Sequence, residues 1–149
     1  MFLCYACAMQ VYKSRYSKLP GTTYTEIVKL ARRHYHKIQK QTPRRQTYVR
    51  SKYFTKDKIF INEFWKHLEQ KDWGDRARRI KLFPCGIDLI RNTTFSPVVV
   101  VEAQRPRELL YRFTGMTNEG EMFLVQIKEN QRSNRKDLMS IFPIKGQGN

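Results

Sequence analysis

Acidic residues are scarce in this chain: 13 Asp and Glu stand against 29 Lys and Arg among 149 residues, a formal charge of +16. Cysteine is scarcer, with Cys4, Cys7 and Cys85 alone. An odd handful in a chain of this size is no disulfide framework and fits a reducing, cytoplasmic setting. Cys4 and Cys7 have zinc-knuckle spacing, but a closed zinc site takes four ligands. No second Cys or His pair stands at matching spacing, and His34 and His36 fall on different helix faces, so no metal is expected. No apolar run is long enough to cross a membrane. The apolar opening, MFLCYACAMQVY, lacks the basic start of a signal peptide. It reads as a short edge strand, or as a loosely ordered stretch ahead of an alternative start at Met9. There is no Gly-rich phosphate loop, no Asp/Glu cluster suited to Mg²⁺ and no Ser-His-Asp set. NTPase, two-metal nuclease and serine hydrolase chemistry are therefore not expected, and no cofactor is implied.

What the chain does have is a core and a strong field. Hydrophobic residues make up 40% and aromatics 13%, enough for one packed domain rather than a disordered basic protein. The first 56 residues carry thirteen Lys and Arg against one acid, Glu26, a formal +12. Such a field recruits polyanions, above all phosphate backbones; an anionic membrane surface or an acidic protein are the other partners it allows. The organisation read from this asymmetry is a basic helical arm over 1–56, an α+β domain over 57–145 and a frayed tail over 146–149.

Thr23-x-x-Glu26 is a capping box that opens a helix running to about Gln41, ended by Pro43. Its polar face carries Lys29, Arg32, Arg33, Lys37 and Lys40 without the interspersed acids of an ordinary solvated helix. Residues 43–56 form a basic loop, with Arg44, Arg45, Arg50 and Lys52 interleaved with Tyr48, Tyr53 and Phe54. That pattern suits backbone neutralisation with base stacking, or equally a loop anchored to the core by its rings. Phe60, Phe64 and Leu68 repeat at i+4 and predict a second helix over 57–70, with His67 a surface residue off that line. Trp73-Gly74 reads as a break. A third helix, basic through Arg76, Arg78 and Arg79, starts at Asp75, and Pro84 opens its continuation to Ile90. Four strands follow, over 98–101, 108–115, 121–128 and 136–142. The expected fold is α+β, N-terminal helices followed by a four-stranded antiparallel sheet.

The central hairpin defines a face. With Asn118-Glu119-Gly120 as a three-residue loop and Gly120 left-handed, Phe113 pairs with Val125 and Tyr111 with Ile127 on the apolar side. The polar side then pairs Arg112 with Gln126 and Leu110 with Lys128; Met139 and Ile141 join the apolar face and Ser140 the polar one. Two cations, an amide and a hydroxyl, with no carboxylate before Glu129, can hold a phosphate as well as form a solvated surface. Metal-free RNA cleavage needs only orientation of the ribose 2′-hydroxyl, proton transfer and stabilisation of the charged phosphorus, and a lysine in a positive site can serve as base.

The basic helix Arg76-Ala-Arg-Arg-Ile-Lys-Leu-Phe-Pro84 and the strands Leu110–Gly115, Phe123–Lys128 and Met139–Pro143 resemble the phage-associated branch of the superfamily named for barnase, EndoU, colicin nucleases and RelE. The resemblance covers about Lys58 to Pro143, which excludes the arm. It implies a metal-independent ribonuclease, often a toxin held by an antitoxin or immunity protein. It also implies an active site on the open sheet face and the preceding helix, which here means Arg79, Arg112, Gln126, Lys128 and Ser140. The chain departs from the pattern in having no His or Glu on that face where a barnase-like acid–base pair would stand. A non-catalytic nucleic-acid-binding protein and a basic inhibitor docking an acidic protein partner are the alternatives.

Overall fold

Helix 83–92 is buried along nearly its whole length, and the rest of the chain is arranged around it. The computed structural model describes residues 10–42 and 46–144; Met9, Cys4, Cys7, Arg44, Arg45 and the 146–149 tail lie outside them. Within the described residues, β1 (Tyr12–Lys13) precedes α1 (Tyr24–Gln41) and the hairpin β2 (Tyr48–Ser51) and β3 (Asp57–Phe60). Then come α2 (Asn62–Glu69), α3 (Trp73–Ile80) and α4 (Phe83–Asn92). Strands β4 (Val98–Glu102), β5 (Arg105–Met116), β6 (Met122–Asn130) and β7 (Arg135–Pro143) complete the chain.

The fold is α+β, but the expected four-stranded antiparallel sheet is corrected. The described strands form one curled, seven-stranded mixed sheet of order β1-β5-β6-β7-β3-β2, with β4 also on β5. β1 runs parallel to β5 and β3 parallel to β7; the other pairs are antiparallel. Three of the strands come from sequence assigned to the arm or to a helix. The boundary drawn at residue 56 falls inside the β2–β3 hairpin, and Ile27, Ala31 and Ile38 of α1 belong to the common core. The described part of the basic N-terminal stretch, residues 10–42 and 46–56, is therefore built into the fold.

The helix predicted over 57–70 starts only at Asn62. Asp57–Phe60 is a strand, because Ile59 fills the core while Phe60 packs its ring on Tyr48, 5.9 Å away. The β2–β3 turn has no glycine, yet Thr55 and Lys56 take φ of 56° and 69°. That strained pair drops Tyr53 and Phe54 onto the sheet, where Phe54 meets Tyr111 at 4.8 Å and Tyr53 meets Phe113 at 5.4 Å. Of the two readings of this loop, anchoring by its rings is the one observed. The third helix also begins earlier than expected: Asp72 caps it through the Asp75 amide at 2.8 Å, so Trp73 and Gly74 are its first turn. The capping box of α1 forms as read, with the Glu26 amide on Thr23 Oγ1 and the Thr23 amide on Glu26 Oε1.

The β5–β6 register is the one the hairpin predicts: Arg112 opposite Gln126, Phe113 opposite Val125, and Gly120 at φ 97°. In β7 a bulge leaves Met139 without a partner, so that Gln126 faces Ser140 but Ile127 faces Leu138. Ile141 and Leu138 are buried, whereas Met139 is not wholly so. Below the bulge the faces exchange. Lys136 turns into the core face, bonding Asp57 at 2.8 Å and Glu129 at 3.3 Å, while Glu129 accepts from the Tyr111 hydroxyl at 2.6 Å. Burial opposes the charge on Lys136, but the bonds to Asp57 and Glu129 outweigh it and its pKa is raised. α4 lies so close to the sheet that a Cβ on Gly86 would collide with Ile141, and one on Gly115 would stand 2.8 Å from Leu89 Cδ1. Among the described residues β4 has no partner beyond β5, with Val98, Val99 and Val101 exposed.

Lys136→Ala should cost about 3 kcal/mol, because Glu129 is left enclosed without its cation. Asp57→Ala should cost less, since that carboxylate is 53% exposed. Urea denaturation at neutral pH measures both. The contribution of Lys136 is present below the ordinary lysine pKa and is lost as pH rises through its raised value.

Candidate nucleic-acid interface

Two surfaces carry the cations. The first is the outer face of the sheet, away from the helices. There Arg112, Gln126 and Ser140 stand in one row across β5, β6 and β7, and Arg112 Nε donates to Gln126 Oε1 at 2.9 Å. Lys128 is in the next row, opposite Leu110. The β7 bulge adds what the sequence reading left out: Asp137, not Lys136, lies opposite Lys128, so the face does carry a carboxylate. That carboxylate is paired with Arg135 at 3.1 Å and nearly buried.

Arg79 is not part of the row. Its guanidinium is held by Asp75 at 3.1 Å and lies over Phe142 of β7, 5.2 Å from the ring centre. Arg78 pairs with the same carboxylate at 3.3 Å. Arg76 donates to the carbonyls of Lys71 and Glu69, closing the end of α2, and stacks over Trp73 at 4.7 Å. The cations of α3 are thus engaged in holding local structure; the Asp75 pairs are the i, i+3 and i, i+4 pairs of a helix. Arg50 is similarly used, bonding the Lys56 carbonyl and lying over Tyr48, while Lys52 is exposed.

The second surface is α1. Lys29, Arg33, Lys37 and Lys40 recur at i, i+4, i+8 and i+11, which places them along one exposed stripe of the helix. Among the described residues none of the four has an ion-pair partner within 4.0 Å. Arg32 stands to one side, over the Trp65 ring at 5.2 Å. α1 packs on α3, α4 and β2, on the helical side of the sheet. The stripe and the Arg112 row therefore face different ways and do not make one site.

Beside the stripe, α1, α4 and residues 15–16 enclose a cleft of about 460 Å³. Arg15, Lys37 and Arg91 line it with His34, Tyr16 and Asp88. Arg91 reaches Gln41 of α1 at 3.4 Å. Asp88, buried on α4, accepts from Ser14 Oγ and Asn92 Nδ2, each at 2.8 Å, and from the Arg15 amide at 3.3 Å. Burial, and then the neighbouring Lys37, hold the His34 imidazole below its ordinary pKa. Burial pushes the Cys85 thiol up to about 12, so it is a packing residue. Sequence reasoning missed Arg15, Tyr16 and Arg91, which lie far apart in the chain and meet only through the fold.

Among the described residues no three His, Cys, Asp or Glu side chains are grouped as metal ligands, and no helix is long and apolar enough to cross a membrane. Comparison with protein-family models, curated proteins and solved structures finds no match for the chain.

His34 should titrate below the ordinary histidine value of about 6.5. Lys37→Ala should move it part of the way back up, because burial remains. An NMR titration of the ring protons reads both; an unmoved value in the variant would show that Lys37 does not act on the ring.

Proposed function

We propose that the protein binds RNA, gripping the phosphate backbone with the exposed stripe of α1. The observation that carries this reading is the stripe itself: Lys29, Arg33, Lys37 and Lys40 on one face, without acidic partners among the described residues. An ordinary soluble helix gains from mixing its charges, and a one-sign face is favourable only against an opposing polyanion. The spacing suits a backbone, since the stripe spans eleven helical steps, or roughly 16 Å at 1.5 Å per residue. Affinity should fall steeply with salt, by about 0.7 in log K per log unit of salt for each phosphate contacted on a single strand. Replacing all four residues by Ala should flatten the slope by about 3 on that scale. Filter binding across a salt series measures it; an unchanged slope would place the footprint elsewhere.

A metal-independent ribonuclease is the second reading, favoured by the row of Arg112, Gln126 and Ser140 beside Lys128. In that reaction the ribose 2′-oxygen forms the new bond to phosphorus. The 5′-oxygen leaves with a proton, and a 2′,3′-cyclic phosphate remains. The row can bind the phosphate, with Arg112 and Lys128 meeting its developing charge. An antitoxin or immunity protein belongs to this reading as partner. Incubation with RNA in EDTA should then give cyclic-phosphate ends, and Arg112→Ala or Lys128→Ala should each lower the rate by about 10²–10³. Intact RNA under conditions where the protein is bound leaves the binding reading alone.

A further inference from the structure

We propose that the cleft between α1, α4 and residues 15–16 is a site for a nucleoside monophosphate unit: phosphate against Arg15, Lys37 and Arg91, base against Tyr16. The inference deepens the RNA-binding reading and rests on it where the ligand is an RNA end.

Three features point there. The first is charge. Arg15, Lys37 and Arg91 line one cleft, and among the described residues none has an ion-pair partner. The one carboxylate in the wall, Asp88, is turned to Ser14, Asn92 and the Arg15 amide, and bonds neither guanidinium. A backbone diester brings one negative charge, whereas a terminal phosphate brings between one and two at neutral pH, which suits a cleft lined by three cations better.

The second feature is an exposed aromatic ring on a held main chain. The Tyr16 amide donates to Ser14 Oγ at 3.0 Å, and its carbonyl accepts from the Asn118 amide at 2.9 Å and from the Cys85 thiol at 3.2 Å. The main chain is held at both ends while the side chain is 44% exposed at the rim. An exposed ring on a held main chain is available for stacking, and stacking tolerates any base. The third is size: about 460 Å³ lies within the range of small-molecule and cofactor sites.

The neutral His34 gives the site an internal reporter. Arg15, Lys37, Arg91 and Asp88 are the charged groups around it. A phosphate seated among these cations brings negative charge near the ring and raises its pKa.

The test compares two RNA oligonucleotides of one sequence, 5′-phosphorylated and 5′-hydroxyl, together with free AMP. The 5′-phosphorylated RNA should bind about tenfold more tightly than its hydroxyl counterpart, from the added charge-assisted bonds. That ratio should fall to about 1 in Arg15→Ala/Arg91→Ala, and Tyr16→Ala should weaken AMP binding. AMP should also shift the His34 ring resonances and raise their titration midpoint. Both alanine sites are exposed, so the fold is expected to persist, and circular dichroism checks it. Equal binding of the two RNAs, with AMP leaving His34 unmoved, overturns the cleft assignment while RNA binding stands. AMP binding that shifts His34 while neither RNA binds keeps the site, assigns it to a free nucleotide and overturns the RNA reading. A tenfold ratio that persists in the double variant overturns the assignment to Arg15 and Arg91.

Discussion

A single buried carboxylate holds the arrangement together. α4 is enclosed from Phe83 to Ile90, and the only charge in that span is Asp88. A carboxylate there persists only if its oxygens are filled, and they are filled by Ser14, the Arg15 amide and Asn92. The bonds therefore stitch the segment before α1 to the centre of the molecule. Burial, and then Asp88 itself, push the pKa of nearby Tyr12 up to about 12. Because residues 14–16 are pinned in this way, Arg15 and Tyr16 reach the side of α4 that α1 also borders. The cleft is a by-product of satisfying one buried acid.

The scarcity of acids shapes the surface as much as the number of bases. Glu26 and Asp72 cap helices, Asp75 holds Arg78 and Arg79, and Asp57 and Glu129 hold Lys136. Glu121 pairs with Lys18, and Asp137 with Arg135. These acids sit where the structure needs an acceptor, and past Glu26 none lies on α1. Past Glu26 the cations of α1 thus meet no acid of their own helix.

Much of the helical part of the fold is legible in the sequence because its signals are local. Thr23 and Glu26 announce α1, Pro84 announces α4, and the alternation around Asn118–Gly120 fixes the β5–β6 register. What escaped depends on tertiary partners. β1 has two residues, too few for any period, and exists because it runs beside Gly115 and Met116. Asp57–Phe60 offers only Ile59 as a strand residue, and the i+4 spacing of Phe60 with Phe64 mimics a helix that starts later. Thr55 and Lys56 take left-handed conformations that no turn rule assigns to them. The bulge at Met139 adds one residue and exchanges Lys136 with Asp137 between faces. Of the candidate site, the α1 stripe and the Arg112–Gln126 pair were readable; so was the i, i+4 pair of Arg79 with Asp75, whereas the seat of Arg79 over Phe142 is set by the fold.

The bare edge of β4 bears on how the protein behaves in bulk. Val98, Val99 and Val101 are exposed on a strand whose outer ladder is open among the described residues, the kind of edge that pairs with any similar strand it meets. No lysine or proline within Val98–Glu102 guards it; the repulsion of +16 on each copy opposes such pairing. A polyanion that neutralises that charge removes the guard at the same time. Colloidal stability and polyanion loading are therefore opposed in this molecule, and its solubility in isolation is a poor guide to its solubility when charge-matched.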